Sequence, residues 1–489
     1  MEQGRKTVCR TLEVNLAEMD RLLEGDDSVL KHRFSPPGKL GEQVQCCLYC
    51  VDGMADSGRV NECLIRPVVR MRAKPEGPLA DFLMEQVLQL CECRLSGDFS
   101  TAVTAVLSGD TAVFCQGSDQ AVIVGTKGYS KRGIAEPEGE RYLKGPREGF
   151  NESIRENQAM LRRRLCTPDL KMEAVTLGET SGTACALCYL DSVVDRRALA
   201  TLRKRMARIR IDGVLDSNYV AELVRDSPHS PFRTTGSTER PDVAAAKLLE
   251  GRVVLLVDGT PVAMTVPHIF LEHLQSGEDY YVSHVFADVN RFLRVLGFLI
   301  SVSVAPLYLS LIAHDCALLP LKLLTNIASA RQGAALPLLP EALLLLLAFD
   351  LLREAGARTP GSIGQTLSVV GGLVVGQAAV DAHLVSAPML IVVALSGITG
   401  LIAPKLKACI ILWRAGLLLL SAALGAGGWV LGMMALALRL SGLSSFGVPY
   451  LSSLPLSGLG SPEDSLTRPP YHHMKKFGRF VARQGGKRR

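Results

Sequence analysis

The chain has 489 residues and a formal net charge of +6, with 48% hydrophobic and 21% charged residues. Thirteen cysteines, an odd number scattered mostly through the first 290 residues, exclude a disulfide framework and indicate free thiols in a cytoplasmic setting. Residues 1–290 carry 36 basic and 41 acidic side chains, whereas residues 291–489 carry 18 and 7. This asymmetry, net −5 against +11, favours a soluble acidic part joined to an apolar, basic part that meets a membrane.

The first 290 residues alternate strand-like and helical patterns. An apolar run at Val44–Val51 is followed by an acidic residue and then by a helical pattern. The run at Ala184–Leu190 is followed by the same sequence of features. Two hairpins follow at corresponding places, Thr111–Cys115 with Ala121–Gly125 and Val253–Val257 with Val262–Val266. We therefore predict two related α/β subdomains, 1–144 and 145–290. The alternative is a chance match, because strand–acid–helix is a common opening of α/β proteins.

An apolar block from Phe292 to Leu440 follows. Its first segment, Phe292–Ala313, is long enough to cross the ~30 Å core of a bilayer as a helix, which takes ~20 apolar residues. A buried helix of a large soluble protein is the disfavoured alternative, because similar segments follow. They are Leu336–Leu352, Ile363–Val380, Ala387–Ala403, Ala408–Leu424 and Trp429–Leu440, the last two hinged at Gly425–Gly428. The sequence thus predicts an all-α polytopic membrane domain at 291–445 with about five or six helices.

Positive charges indicate the orientation of this block. Arg291 and Arg294 flank the first segment, and the predicted basic tail, 446–489, has eight Lys and Arg and no acid from Arg468 onward. By the positive-inside rule both ends, and with them the N-terminal domain, lie on the cytoplasmic side, which requires an even number of crossings. Anionic lipid is a simpler partner for such a tail than nucleic acid.

Ionisable side chains within the apolar block are candidates for function, because placing one in lipid costs ~2.5–3.5 kcal/mol. The candidates are Glu341, Asp350 and Arg414. For Asp350 the alternative is pairing with Arg353 and Glu354 at a helix end. For Glu341 the alternative is an interfacial position near the start of its segment.

The third apolar segment carries a stripe of small and polar residues. Gln365, Ser368, Gly372 and Gly376 follow helical spacing and form one face. Such a face either packs helices closely, which is the default, or lines water, and both hold if several copies surround an axis. These four residues are our pore-lining candidates.

A cluster of three arginines, Arg162, Arg163 and Arg164, lies near the end of a helical pattern in the second subdomain. These residues are candidate contacts for an acidic partner or for lipid headgroups. The alternative is a solvated helix end, where cations suit the helix dipole.

Motifs for catalysis do not occur in the sequence. Two C-x-x-C pairs, Cys47/Cys50 and Cys185/Cys188, lie in apolar strand-like runs, where buried thiols are the simpler interpretation. No phosphate-binding loop, nucleophile elbow or H-E-x-x-H is found. The sequence therefore predicts no enzyme, no cofactor and no catalytic or metal site.

Several short stretches, each weak alone, occur in an order typical of one protein family. They are Gly145–Phe150, Asn157, Leu161–Leu165, Ile211–Gly213, Thr238–Asp242, Leu249–Arg252, Val257–Pro261, Ser276–Tyr281, Leu352–Gly356, Val375–Val380 and Phe446–Tyr450. In this order they resemble the A subunit of GerA-type spore germination receptors, from about Gly41 onward. The sporulation stage V AF protein is a sister group of the same architecture, but Asp258–Pro261 and Leu352–Gly356 look closer to the receptor subunit.

The resemblance implies an integral protein of the spore inner membrane with its α/β domain facing the core. It implies partners, a permease-like B subunit that senses the germinant and a lipoprotein C subunit. It also implies a homo-oligomer that forms a cation channel opened by germinant binding. The alternative is a membrane-anchored scaffold of a germination or SpoVA-type complex without its own pore. One departure from the family pattern is Lys405–Lys407, where the family usually has Ser-Tyr-Glu.

Overall fold

The computed structural model describes residues 7–72, 77–88, 90–128, 136–137, 139–358, 372, 374, 376–452, 466–470 and 472. An α/β region comes first, and a helical region begins at His284. The predicted order of an α/β domain followed by an all-α part is therefore correct. The predicted boundaries at 144/145, 290/291 and 445/446 stay predictions.

The first α/β unit is built on one antiparallel sheet. Its elements are α1 (Leu12–Leu22), β1 (Val29–Phe34), α2 (Lys39–Gln43), β2 (Cys46–Val51), α3 (57–69), α4 (79–87), β3 (Cys93–Ser96), α5 (Phe99–Leu107), β4 (Thr111–Cys115) and β5 (Ala121–Val124). The strands lie in the order β1-β2-β4-β5-β3. One face packs on α1 and α5 and the other on α3 and α4. Because both faces are covered, β2 and β4 are buried along their whole length and are apolar apart from Thr111 and the Tyr49 hydroxyl.

The second α/β unit repeats this plan. Its elements are α6 (Ile154–Arg164), β6 (Leu170–Leu177), β7 (Thr183–Leu190), α7 (Arg196–Met206), α8 (Ser217–Val224), β8 (Gly236–Thr238), α9 (Pro241–Leu249), β9 (Val253–Val257) and β10 (Ala263–Val266). The strand order β6-β7-β9-β10-β8 is that of the first sheet shifted by five strands. Helices α7 and α8 cover one face, and α6 and α9 the other. Both predicted hairpins, β4–β5 and β9–β10, are present.

The likeness of the two units extends to single hydrogen bonds. The Asn15 side chain donates to the Cys9 carbonyl at 2.6 Å and accepts from the Cys9 amide at 2.8 Å. Asn157 does the same to Asn151, at 2.6 and 2.9 Å. The hairpin turn then caps the first N–H of each helix, Leu12 by Gln116 at 2.8 Å and Ile154 by Asp258 at 3.0 Å. The same strand order and the same caps in both units support an internal duplication.

The helical region runs back and forth from the α/β region. Its helices are α10 (His284–Ala313), α11 (Leu321–Ala330), α12 (Leu338–Arg358), α13 (Ala387–Gly400) and α14 (Lys407–Ser441), with further helical residues at 376–381. Helix α10 leads away from the α/β region, and α12 returns, because Glu354 near its end pairs with Lys407 at 2.8 Å. Helix α13 starts at the distal end, where Ser386 bonds Glu341, and returns to a loop at Lys405 that contacts the α/β region.

Helix α14 is a helical hairpin. Gly425 interrupts it with φ 59° and ψ −143°. A Cβ on Gly432 would collide with the Leu417 side chain, and one on Gly428 with the Leu420 carbonyl. Residues 15 apart in a straight helix are separated by about 22 Å, so the arms 407–424 and 426–441 must fold back on each other. This reversal agrees with the hinge predicted at Gly425–Gly428.

Two helical stretches within the described residues are long and apolar enough to cross a membrane, His284–Ala313 and Pro404–Ser441. Ala387–Gly400 is a shorter apolar helix. Length and composition alone are weak evidence of a membrane span. The hairpin at Gly425 also divides the second stretch into two shorter arms.

The described part of the predicted tail is folded. Two short strands, β11 (Ser444–Ser445) and β12 (Val448–Pro449), follow α14. Phe446 is buried in the core of the second unit, and the Tyr450 hydroxyl donates to the Arg233 carbonyl at 2.8 Å. Phe446 and Tyr450 thus belong to the packed core, while the predicted start of the tail at 446 stays a prediction.

Candidate functional site

A central polar network links four helices of the helical region. Arg414 in α14 bonds Asp350 in α12 at 2.8 Å and the Ser396 hydroxyl in α13 at 3.2 Å. Ser396 donates in turn to the Ser301 carbonyl of α10 at 2.8 Å. Arg353 also pairs with Asp350 at 2.8 Å, as the helix-end alternative expects. The Arg414 side chain is only 4% exposed, so its charge depends on these partners.

A second cluster surrounds Glu341 at the distal end of the bundle. This carboxylate is fully buried and pairs with Arg331 at 2.9 Å. It also accepts hydrogen bonds from the amide and the hydroxyl of Ser386, both at 2.6 Å. Glu341 lies in the first turn of α12, so the interfacial alternative stays open. Its contacts join the link after α11 to the starts of α12 and α13.

The stripe of small residues is described only in part. Gln365 and Ser368 lie outside the described residues. Gly376 is buried, and a Cβ there would lie 3.5 Å from Leu390. Gly372 is exposed, and among the described residues nothing lies within 4 Å of a Cβ placed on it. The surroundings of Gly376 agree with helix packing, the default interpretation of the stripe.

The arginine cluster is engaged within the α/β region. Arg162 is fully buried and forms an ion pair with Asp26, which joins the second unit to the first. It also donates to the Thr167 carbonyl at 3.2 Å. Arg163 and Arg164 both pair with Glu148 and are about a quarter exposed, at 27% and 25%. The predicted contact of Arg162 with a partner or lipid is therefore corrected, because its charge is used between the two units.

A buried ion-pair cluster holds the junction between the α/β and helical regions. Asp279 is 1% exposed and accepts from Arg291 at 3.2 Å and from Arg294 at 2.8 Å, both on α10. Arg468 donates to the Asp279 carbonyl at 2.6 Å and to the Val282 carbonyl at 2.8 Å. The arginines predicted to mark the cytoplasmic end of the first segment thus also tie α10 to the α/β region.

A cavity of about 340 Å³ lies beside this cluster. Its walls come from the second unit, from the loop at 139–142 and from the loop between α13 and α14. Across it, the Lys405 ammonium pairs with Glu140 at 2.7 Å. This pair joins the loop between α13 and α14 to the loop at 139–142.

Two buried histidines and a carboxylate form the wall of this cavity in the second unit. His268 lies 2.7 Å from Glu272, which also pairs with Arg252. Burial alone would raise the pKa of Glu272, but Arg252, Lys247 and His268 hold it below its ordinary value. Burial lowers the pKa of His268, and lowers that of His273 well below its ordinary value. Glu272 is therefore ionised in this wall, and the neighbouring His268 and His273 are harder to protonate than a free histidine.

Sequence reasoning did not identify the partners of these buried charged side chains. The partners are ordinary residues of a helix or loop, and only the packing places them beside a charged group. They are Ser301, Ser396, Arg331 and Glu140. Asp279 had a local signal, because an acid just before an apolar helix that starts with two arginines is placed to pair with them. Among the described residues no three His, Cys, Asp or Glu side chains are grouped to hold a metal ion.

Comparisons with known proteins agree along most of the chain. A family model described as "Bacillus/Clostridium GerA spore germination protein" matches residues 17–479. "Spore germination protein KA" of Bacillus subtilis (strain 168) is 35% identical over 479 residues, covering 97% of this chain and 87% of that protein. "Spore germination protein GerLA" of Bacillus cereus is 32% identical over 417 residues, 85% of each chain.

The chain is also similar to a membrane protein of unassigned role and to a solved domain structure. "Uncharacterized membrane protein YfkQ" of Bacillus subtilis (strain 168) is 33% identical over 489 residues, covering 99% of this chain and 94% of that protein. The crystal structure of the N-terminal domain of the A subunit of the Bacillus megaterium spore germinant receptor GerK3 aligns with a TM-score of 0.44 and 24% identity. It covers 55% of this chain and 99% of that one. On the family match and the full-length relatives, the chain belongs to the GerA family of spore germination proteins.

Proposed function

We propose that this protein is the A subunit of a germinant receptor, an integral membrane protein that oligomerises into a germinant-gated cation channel. The observation that carries the membrane part is the distribution of side chains in the helical region. Large apolar side chains face outward, whereas Ser301, Glu341 and Arg414 are buried. Soluble proteins have the opposite arrangement, and lipid as the outer solvent explains it.

The outward apolar surface is long and continuous along α10 and α14. Exposed residues include Val285, Phe286, Val289, Phe292, Leu293, Leu296 and Leu299 on α10, and Leu412, Leu419, Leu424, Val430, Leu431, Met434 and Leu438 on α14. If the predicted segment Ile363–Val380 is counted with α10, α12, α13 and the two arms of α14, the proposed number of passes is six. An even number agrees with both ends lying on the side of the α/β region, as the charges of the sequence require.

The charges at the two ends of the bundle support an orientation with the α/β region in the spore core. At the junction end lie five exposed or half-buried cations, Arg353, Arg358, Lys405, Lys407 and Arg439. At the distal end, within the described residues, the cations are fewer, with Lys322 and Arg331. Under the positive-inside rule the junction end faces the core side of the inner membrane. Anionic lipid headgroups there are the expected partners of these cations.

The channel is assigned to the stripe Gln365, Ser368, Gly372 and Gly376. Its support is that Gly372 is exposed and that, within the described part of the chain, nothing lies within 4 Å of a Cβ placed on it, as a face that meets another copy of the chain requires. A permease-like B subunit and a lipoprotein C subunit are the proposed partners, with germinant sensed by B. No enzymatic step and no cofactor is part of this function.

Ion flux tests the channel. Spores that carry Gly372→Trp should release monovalent cations more slowly after germinant addition, because the indole would fill the space between copies. Gly427→Trp is the matched control, since a Cβ there also meets nothing within 4 Å among the described residues but lies next to the hairpin tip. Normal release from Gly372→Trp spores with normal protein levels would contradict a pore at this stripe.

The second candidate is a scaffold without its own pore, in which the helical region anchors the protein and the α/β region docks partners. The extensive ion pairing at the junction favours it, because such contacts position two regions rigidly. It predicts that Gly372→Trp leaves ion release unchanged while reversing Glu148, which orders Arg163 and Arg164, impairs assembly with the partner subunits.

A further inference from the structure

Two buried cysteines face each other across neighbouring strands of the first sheet. Cys46 begins β2 and Cys115 ends β4, and the two residues are register partners. Their sulfurs are 3.6 Å apart, although the residues are 69 positions apart in the chain. Each is 1% exposed. Neither thiol takes part in the proposed channel or in the junction, so the proposed function does not explain why the two cysteines lie side by side.

The register places this pair where a cross-strand bridge fits. The neighbouring pair, Gln45 and Gln116, exchanges a backbone hydrogen bond of 2.9 Å, so Cys46 and Cys115 form a non-hydrogen-bonded pair. In such pairs the Cα atoms are about 4.5 Å apart, within the range that a disulfide spans. Gln45 and Gln116 are exposed, so the thiols lie one register position from solvent.

We propose that Cys46 and Cys115 form a reversible disulfide, a redox-responsive bridge between β2 and β4. With hydrogen peroxide as oxidant, one thiol loses its proton and the thiolate attacks a peroxide oxygen. The O–O bond breaks, giving a sulfenic acid and hydroxide, and the hydroxide takes up the thiol's proton to become water. The second thiol then attacks that sulfur, forming the S–S bond and releasing a second water. Two thiols lose two electrons and two protons in total, and the peroxide takes them up. A thiol reductant reverses the reaction by exchange.

The environment makes this bridge slow to form. The neighbouring Cys46 thiol and burial together raise the pKa of the Cys115 thiol well above its ordinary value. The thiolate is the reacting species, so the exposed Cys9, Cys91 and Cys166 should react first. A metal site is the poorer assignment for the pair, because two thiols supply half of a tetrahedral set.

The second unit supplies a natural control. There the equivalent register pair is Cys185 and Val257, again beside a hydrogen-bonded pair, since the Asp258 amide donates to the Ala184 carbonyl at 2.9 Å. Cys115→Val therefore gives the first sheet the pair that the second sheet already accommodates. Val257→Cys gives the second sheet the pair of the first. The Cys and Val side chains are close in volume, and each change gives one sheet a side-chain pair that the other sheet already has at the equivalent position.

The test uses the full chain in detergent, reduced, then treated with hydrogen peroxide and mapped by mass spectrometry of alkylated peptides. The wild type should yield a Cys46–Cys115 linked peptide that dithiothreitol removes, with a thermal midpoint raised by about 5–15 °C, because the bridge closes a long loop. Cys115→Val should lose both the link and the shift. Val257→Cys should gain a second link, from Cys185. Cys46 and Cys115 found as separate thiols, or as separate oxidised acids, would overturn the proposal.

Discussion

At the residue scale, the charges that the sequence marked as functional are held in specific pairs. Arg162 with Asp26, Arg414 with Asp350 and Glu341 with Arg331 are all buried or nearly so. A buried pair adds little net stability over a well-packed apolar pair, but removing one partner leaves an uncompensated charge. These pairs therefore specify how the helices and units fit together more than how stable they are.

Asp26→Ala should destabilise the α/β region by about 3–5 kcal/mol, because it leaves the buried guanidinium of Arg162 without its carboxylate. Chemical unfolding of the purified protein measures this. Asp27→Ala is the matched control, since Asp27 accepts only a hydrogen bond from the Ala174 amide among its described contacts and should cost about 1 kcal/mol. Equal effects of the two changes would contradict a special role of the pair.

Asp350→Ala should lower the amount of folded protein in membranes, because Arg414 then keeps only its bond to Ser396. The double change Asp350→Arg with Arg414→Asp should recover part of the loss, since the pair is re-formed with its charges exchanged. A double-mutant cycle on heat resistance in detergent measures the coupling. Additive losses would show that the two side chains do not interact.

At the element scale, two features depend on backbone geometry. The two sheets share one strand order and the same helix caps, so each unit folds by the same local rules. The hairpin of α14 depends on a single residue, Gly425, whose φ of 59° and ψ of −143° are open almost only to glycine. The hinge thus determines the number of passes through the bundle.

Gly425→Ala should destabilise the helical region by about 1–3 kcal/mol, the cost of a strained backbone, because its Cβ would also lie 2.8 Å from the Asp315 carboxylate. Gly427→Ala is the control. It lies in helix with open space around it, and it should stabilise by up to about 1 kcal/mol. Thermal midpoints in detergent compare the two, and a neutral Gly425→Ala would rule out the strained hinge.

At the scale of the whole molecule, the junction joins the α/β region to the bundle through side chains from many parts of the chain. Asp279 binds α10 and the segment at Arg468, and Lys405 of the α13–α14 loop binds Glu140. A movement of the second unit would therefore reach the helices directly. This is the physical route by which an event in the α/β region would alter the proposed channel.

Acid should weaken the junction. The pKa values of His268 and His273 are lowered in the folded state, so below about pH 6.5 the unfolded chain takes up protons that the folded chain does not, and stability falls. The lowered pKa of Glu272 acts in the same direction only below about pH 4.5. The thermal midpoint should drop between pH 7 and pH 5, and His273→Gln should reduce that drop. An unchanged pH profile of this variant would contradict the assignment.

Glu140→Lys should loosen the link to Lys405 and change the rate of ion release, because two cations would then face each other at the junction. The matched change is Lys405→Glu in the same chain, which restores opposite charges. Recovery of the wild-type rate by the double variant would show that the pair couples the regions. Lys405→Glu alone should cost less than about 1 kcal/mol of stability, since Lys405 is 42% exposed. Glu140→Lys should cost more, because the Glu140 carboxylate also accepts hydrogen bonds from the Thr238 hydroxyl and the Glu239 amide.

The sequence by itself determined the order of an α/β region followed by a helical region, the two hairpins, the hinge near Gly425 and the family. These features depend on apolar runs, turn residues and short motifs in a fixed order. Such patterns involve only a few neighbouring residues, so they can be recognised without knowing which residues are in contact in the folded protein. The tertiary structure decided which charges meet. The sequence showed Arg162 in a cluster of arginines, Glu341 near the start of an apolar segment and Phe446 after the last apolar segment, and only the packing shows that all three side chains are buried in the protein. Their positions depend on residues 10 to more than 200 positions away, and the low dielectric of a packed interior is what forces such groups to find partners.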